Sequence, residues 1–384
     1  MASVHPLRAL RYTAKAGPIA GLATLPYDVI PEELEHAYKS RSPYNFAHLI
    51  LPHGDYAGAR TRLDAWKADG MLAFDSDPAV FVYEQTFVAP GSTLPLVRRG
   101  FIALGDTEEY GKTVYRHERT ISGPKEDRFR LLDATQVQFD SIFMLFPDEQ
   151  ASIEARLASV CSSPAAVEYA DHEQTVHRLW RITDPAWIAG LQSGMAGEKL
   201  LIADGHHRYE TALRMGRPRT LMTFVSMRSS GLRSFATHRL VHGIDGFDSE
   251  AFLSRLPNAG PGLELNSPAG QVRIGIGLPG GEFHADFAVR PDELNVAVLQ
   301  DRILTPLLGL TPAKVAEGCH VTYVKQLSSA LERVRNGQEQ IAFLLEDLPV
   351  DGVARVSFAG QVLPQKSTYF YPKLASGLVM YQLD

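Results

Sequence analysis

Apolar residues recur along this chain in two rhythms. Ala79 to Val88 and Val97 to Leu104 crowd β-branched and aromatic residues on either side of Pro90-Gly91-Ser92, which predicts a hairpin. Pro31, followed by Glu32, Glu33 and Glu35, marks a helix start, because carboxylates suit the positive end of a helix. Further helices are predicted over Tyr56 to Gly70 and Ile153 to Cys161. Short strands are predicted over Ser141 to Phe146, Thr175 to Ile182 and Leu221 to Met227. Lys199-Leu200-Leu201-Ile202-Ala203 reads as a buried strand that meets Asp204-Gly205 and turns into a helix from about Arg208 to Met215. Val114 to Arg130 is polar and reads as a long loop leading into a helix.

The pattern loosens around Gly243 to Asp248. Beyond it, strands over Gln271 to Ile276 and His284 to Val289 flank Pro279-Gly280-Gly281, and a long helix is expected from Glu293 to Leu308. A strand (Val321 to Val324), a helix (Leu327 to Arg335) and a strand (Ile341 to Leu345) follow. The alternation predicts an α+β (mixed α/β) protein of two domains, 1–245 and a smaller 246–384.

Composition narrows the function. With 384 residues, 45% hydrophobic and 21% charged, the chain is long enough for two cores. A net charge of −6 argues against nucleic acid as the main partner but leaves room for a local basic pocket. Two distant cysteines, Cys161 and Cys319, make neither a disulfide framework nor a thiolate zinc site. No apolar run approaches the ~18 residues of a spanning helix, and the N-terminus does not read as a signal peptide. The expectation is a cytoplasmic protein without a membrane partner.

The densest candidate chemistry is Asp204-Gly205-His206-His207-Arg208. A glycine after a buried strand lets the backbone approach a ligand, and the helix start offers N–H groups to an anion. His206, His207 and Arg208 add donors, and an arginine binds an oxyanion bidentately. Asp204, at a strand end, is a candidate to accept a proton or to hold a metal ion. Capping alone would need only the aspartate.

A second cluster runs from Tyr115 through His117, Glu118 and Arg119 to Lys125 and Arg128. Dense alternating charge is commonly a solvated face. A histidine beside a carboxylate with three cations nearby also suits a multiply charged anion. The third cluster, Lys366-Ser367-Thr368-Tyr369-Phe370-Tyr371-Pro372-Lys373, reads on its own as a C-terminal strand; Thr237-His238-Arg239 is a smaller polar group. The phosphate-cradling GxxxxGK[ST] and GxGxxG loops are lacking, as is the GxSxG elbow.

Five stretches, taken in order, resemble a large bacterial family known as a domain of unknown function, DUF 1015. They are Pro26-Tyr27-Asp28-Val29-Ile30, His117-Glu118-Arg119-Thr120, Asp204 to Glu210, Thr237-His238-Arg239 and Lys366 to Lys373. The Asp-Gly-His-His-Arg turn is also similar to the signature turn of the ParB/sulfiredoxin-like superfamily, some members of which bind nucleotide phosphates there and some of which phosphorylate free serine. That resemblance implies a ParB-like nucleotide-binding core. It sets Gly205, His206, His207 and Arg208 against phosphates, with Asp204 as the acidic residue of the turn and Asp28 as the candidate for a catalytic carboxylate. The resulting expectation is nucleotide-dependent phosphoryl transfer, kinase-like, to a small polar metabolite such as a free hydroxy amino acid. ADP or ATP is the expected nucleotide, CTP a further candidate, and Mg²⁺ the companion ion. Asp204, His117, Glu118 and Asp28 are the catalytic candidates. Arg119, Lys125, Arg128, His238, Lys366, Ser367 and Thr368 join the turn as phosphate-binding candidates. Two alternatives stand beside it: a nucleotide-binding switch without turnover, and a metal-dependent hydrolase using His117, His206 and His207.

Overall fold

The computed structural model describes residues 2–118, 123–290 and 292–383, without the side chains of 123–125. The chain forms two compact units. One comprises Met1–Arg116, Ile121–Leu232 and Pro372–Asp384, the other His117–Thr120 and Arg233–Tyr371. Helices and strands mix in both, as the sequence pattern predicts. No helix among the described residues is long and apolar enough to cross a membrane.

The first unit is built on one large mixed sheet. Its order is Val114–Arg116, Leu200–Asp204, Ile142–Phe146, Arg219–Ser226, Pro95–Asp106, Val80–Val88, Val176–Ile182, Val167–Ala170. Ile142–Phe146 and Leu200–Asp204 each have a strand on either side and are buried on both faces, which is why they read as unbroken apolar runs. Val82, Phe101, Met144, Ile202, Tyr209 and Phe224 make the centre of the core. Phe101 and Phe224 stack with ring centroids 4.8 Å apart.

Register places the site. Leu200–Asp204 pairs antiparallel with Ile142–Phe146, and the ladder shifts between Ile202 and Asp204, where Asp204 faces Phe143. The end of one strand therefore lies beside the beginning of the other, and Asp140 and Ser141 arrive next to Asp204. The helix expected from about Arg208 begins earlier, over His206–Arg214, because Gly205 serves as its N-cap.

The second unit carries its own sheet, ordered Gly260–Pro261, Gly281–Ala288, Gln271–Leu278, Ile341–Leu344, His238–Val241, Val321–Val324. The units divide at Leu232 and Arg233, ahead of the expected position near 245. The reason is that His238–Val241 pairs with both Val321–Val324 and Ile341–Leu344. The helix expected from Glu293 to Leu308 is broken into α-helix Asn295–Val298, a π-helical turn Leu299–Leu304 and α-helix Thr305–Leu308. Pro306, which has no N–H for the carbonyl four residues back, lies just after the wide turn, with only Thr305 between.

Candidate functional site

In the first unit one residue joins strand Leu200–Asp204 to helix His206–Arg214. Gly205 turns the chain with φ 92°, in the left-handed region. A Cβ there would also come within 3.0 Å of the Arg208 guanidinium. Glycine is thus required twice, by the backbone and by the side chain folded over it. Gly205 brings no side chain to the N-cap position.

Arg208 folds back over the turn. Its Nη2 donates to Asp204 Oδ2 at 3.0 Å, and its Nη1 donates to the Ser141 carbonyl. Lys373 Nζ donates to the other carboxylate oxygen, Oδ1, at 3.2 Å. Burial alone would raise the Asp204 pKa, but the charges of Lys373 and Arg208 outweigh it and hold the carboxyl well below its usual range. For Arg208, burial works against the charged form, and Asp204, Asp140 and Asp28 more than restore it.

Buried polar groups deliver Lys373. Arg98, 1% exposed, donates to the Pro372 carbonyl at 2.5 Å and to the Gln85 side chain. Gln85 Nε2 in turn donates to the Lys373 carbonyl at 2.9 Å, and Ala375 N donates to the Tyr83 hydroxyl at 3.2 Å. Burial lowers Arg98 to about 10. Ser376 Oγ donates to Asp140, whose pKa is raised by burial and only partly pulled down by Arg208 and Ser376. Beside Arg208 and Asp140 opens a cavity of about 50 Å³ with Arg128, Thr211, Leu131 and Phe139 in its walls.

This arrangement has a clear chemical capacity. Two cations share one carboxylate at the start of a helix, so an entering phosphate would meet charged donors from two side chains.

The second unit holds another polar cluster. His117, fully buried, places Nε2 2.8 Å from Thr368 Oγ1. Glu118 Oε2 lies 3.9 Å from the same nitrogen and accepts from Ser367 N at 3.3 Å. Leu363 N donates to the His117 carbonyl at 2.7 Å, which fastens this short segment to the 363–368 stretch. Lys366 has φ 55°, a left-handed conformation uncommon for a residue with a side chain. Buried Arg239 supports the loop from behind, donating to the Thr237, Gln365 and Lys366 carbonyls.

Residues 4–307 match the family described as Protein of unknown function (DUF1015). This chain is a DUF1015 protein. No curated protein matches its sequence. Among solved structures, a free serine kinase variant in complex with AMP is similar over 73% of the DUF1015 chain and 92% of its own, with TM-score 0.44 and 14% identity. A conserved hypothetical protein from Pyrococcus furiosus is similar over 73% and 97%, with TM-score 0.40 and 13% identity. The kinase variant in complex with ADP gives TM-score 0.41 at 13% identity, over 73% and 92%.

Of the residues singled out from the DUF1015 sequence, the first unit gathers Asp204, Gly205 and Arg208. Exposed Asp28 acts on Arg208 from the turn Tyr27–Val29. His206 is buried and His207 half-buried in the first helical turn. The second unit gathers His117, Glu118, Ser367 and Thr368, with Lys366 exposed beside them. Two expected phosphate ligands are otherwise engaged. His238 is buried, accepts from Leu345 N at 3.2 Å, and is lowered to about 4 by burial and by Arg239, so its ring is neutral and occupied by the sheet. Arg128 donates to the Ile50 carbonyl at 3.0 Å and lies 3.9 Å over the Tyr27 ring. Arg119 and the side chain of Lys125 lie outside the described residues. For the hydrolase alternative, the described residues contain no group of three or more His, Cys, Asp or Glu side chains placed to hold a metal ion.

Sequence reasoning passed over Lys373 and Asp140. Lys373 stood inside a noted motif but was not marked as a ligand. Asp140 sits before an apolar strand with no signal of its own.

Proposed function

We propose that this DUF1015 protein is a nucleotide-dependent phosphotransferase that binds nucleotide phosphates at the Asp204–Arg208 turn and acts on a small polar metabolite bearing a hydroxyl group. The observation that carries this reading is the pairing of Lys373 and Arg208 on Asp204 at a glycine-capped helix start. Phosphoryl transfer rests on positioning and electrostatic stabilisation, which such a cation pair supplies. An entering phosphate takes Asp204's place as the partner of both cations. Gly205 lets the backbone approach the anion closely.

In the second unit, His117 Nε2 stands at hydrogen-bonding distance from the Thr368 hydroxyl, with Glu118 beside it, an arrangement of the kind general-base chemistry uses. Mg²⁺ arrives with the nucleotide, whose phosphates supply several of its ligands. ADP and ATP lead as nucleotides, with CTP behind them. The resemblance of the turn to the ParB/sulfiredoxin-like one supports the same assignment, and a free hydroxy amino acid is the acceptor to try first.

The experiment is a thermal-shift panel with ADP, ATP, CTP, GTP and pyrophosphate, each with and without Mg²⁺. A ligand at about 100 times its Kd adds about 2.7 kcal/mol of stability. A shift with one nucleotide, followed by its consumption in the presence of serine, supports the reading. A shift without turnover of any hydroxy acceptor supports a nucleotide-binding switch instead. No shift with any ligand removes both.

A further inference from the structure

We infer that Thr368 is itself a phosphoryl-accepting nucleophile, activated by His117, so that the protein forms a phosphothreonine on its own chain. The inference deepens the phosphotransferase reading but is argued from the second unit alone.

An alcohol attacks phosphorus only when a base stands ready for its proton, and nucleophile and base must be within hydrogen-bond reach. Thr368 Oγ1 and His117 Nε2 are 2.8 Å apart. The base is fully buried while the threonine is half-buried, so Thr368 is the more solvent-accessible residue of the pair. The ring is held in place. Phe370 packs edge-on to it at 6.2 Å, the His117 carbonyl is bonded to Leu363 N, and Glu118 stands 3.9 Å from Nε2.

The surroundings suit an anionic donor. Lys366, two residues before Thr368, is exposed in its left-handed conformation, and such backbone outliers cluster at functional sites. Exposed Lys325 sets its ammonium 3.8 Å over the ring of Tyr369, the residue after Thr368. A packing threonine would need neither lysine.

In the step itself the Thr368 Oγ1–H bond breaks and its proton passes to His117 Nε2. A bond forms from Oγ1 to the terminal phosphorus of a nucleoside triphosphate. The bridging P–O bond breaks, and the nucleoside diphosphate leaves with the electron pair. Acetyl phosphate, losing acetate, is an equivalent small donor.

The test incubates the full chain with Mg-ATP or with acetyl phosphate, without an acceptor metabolite, and reads intact mass and phosphopeptides. One phosphoryl group on Thr368 is expected, retained in Thr368→Ser and lost in Thr368→Val. His117→Asn should slow its formation about 10²-fold or more, the range of general-base catalysis. Melting temperature checks that each variant is folded. Labelling by acetyl phosphate in a protein that ignores every nucleotide sustains Thr368 and sinks the nucleotide reading. A protein that is stabilised by ADP yet takes no label from either donor, or takes it elsewhere than Thr368, overturns the inference about Thr368 alone.

Discussion

Lys373 and Asp204 are 169 positions apart in sequence and 3.2 Å apart in space. That ion pair, with the one from Arg208, sets two cations on a single carboxylate at the first unit's turn. It also fixes a pH dependence. Asp204 is held below its unfolded value of about 3.9, so its contribution to stability is complete above that value and fades as pH falls toward the folded one. Melting curves of the parent and Asp204→Asn should differ by a constant gap from pH 7 to about 5, narrowing only below about 4. A gap that closes between pH 7 and 5 would show that the carboxylate is not held low.

Gly205→Ala should damage stability and binding together. The left-handed backbone costs a residue with a side chain about 1–2 kcal/mol, and the new Cβ would press on Arg208 at 3.0 Å. Denaturant unfolding reads the first effect and pyrophosphate titration the second. Unchanged pyrophosphate affinity in the folded variant would separate Arg208 from the ligand.

Arg208 holds the structure as well as the proposed ligand. It joins Asp204 to the Ser141 carbonyl, and Asp140 stands nearby. Arg208→Ala, which strips a largely buried partner from these groups, should cost about 3 kcal/mol. Chemical denaturation checks the figure. A loss below about 0.5 kcal/mol, the range of ordinary surface substitutions, would mean that solvent already compensates these carboxylates.

His238 offers a second pH signature with its own window. Its folded pKa of about 4 lies below the unfolded value of about 6.5, so the unfolded chain binds the extra proton between these limits. Stability tied to this ring is therefore full above about pH 6.5 and is lost as pH falls toward 4. His238→Asn can still accept from Leu345 N, and it should flatten that part of the stability profile. The same slope in parent and variant would place the titration elsewhere.

The strand–turn–helix was legible because its signals are local. An apolar run ends at Asp204, and a glycine and a polar turn follow within three residues. The hairpin Val80–Val88 with Pro95–Asp106 and the helix Tyr56–Ala68 followed from the same kind of local pattern. What lies in the rest of the site is set by distant pairing. Asp140 gains its place from the antiparallel register of Ile142–Phe146 with Leu200–Asp204, and Lys373 from the buried Arg98 and Gln85. Neither relation has a sequence spacing to betray it. His238 and Arg128 show a further relation that the sequence does not carry: one accepts from the Leu345 amide and the other donates to the Ile50 carbonyl, partners distant in sequence.

The most direct measurement is a calorimetric titration of ADP and of pyrophosphate into the parent protein and Lys373→Met. This substitution keeps most of the unbranched side chain, removes the charged end and leaves Asp204 paired with Arg208. A hydrogen bond to a charged group is worth about 1.5–3 kcal/mol, so both ligands should bind about 10- to 100-fold more weakly to the folded variant. Equal affinity in the two proteins would contradict phosphate binding by Lys373 at the Asp204–Arg208 turn.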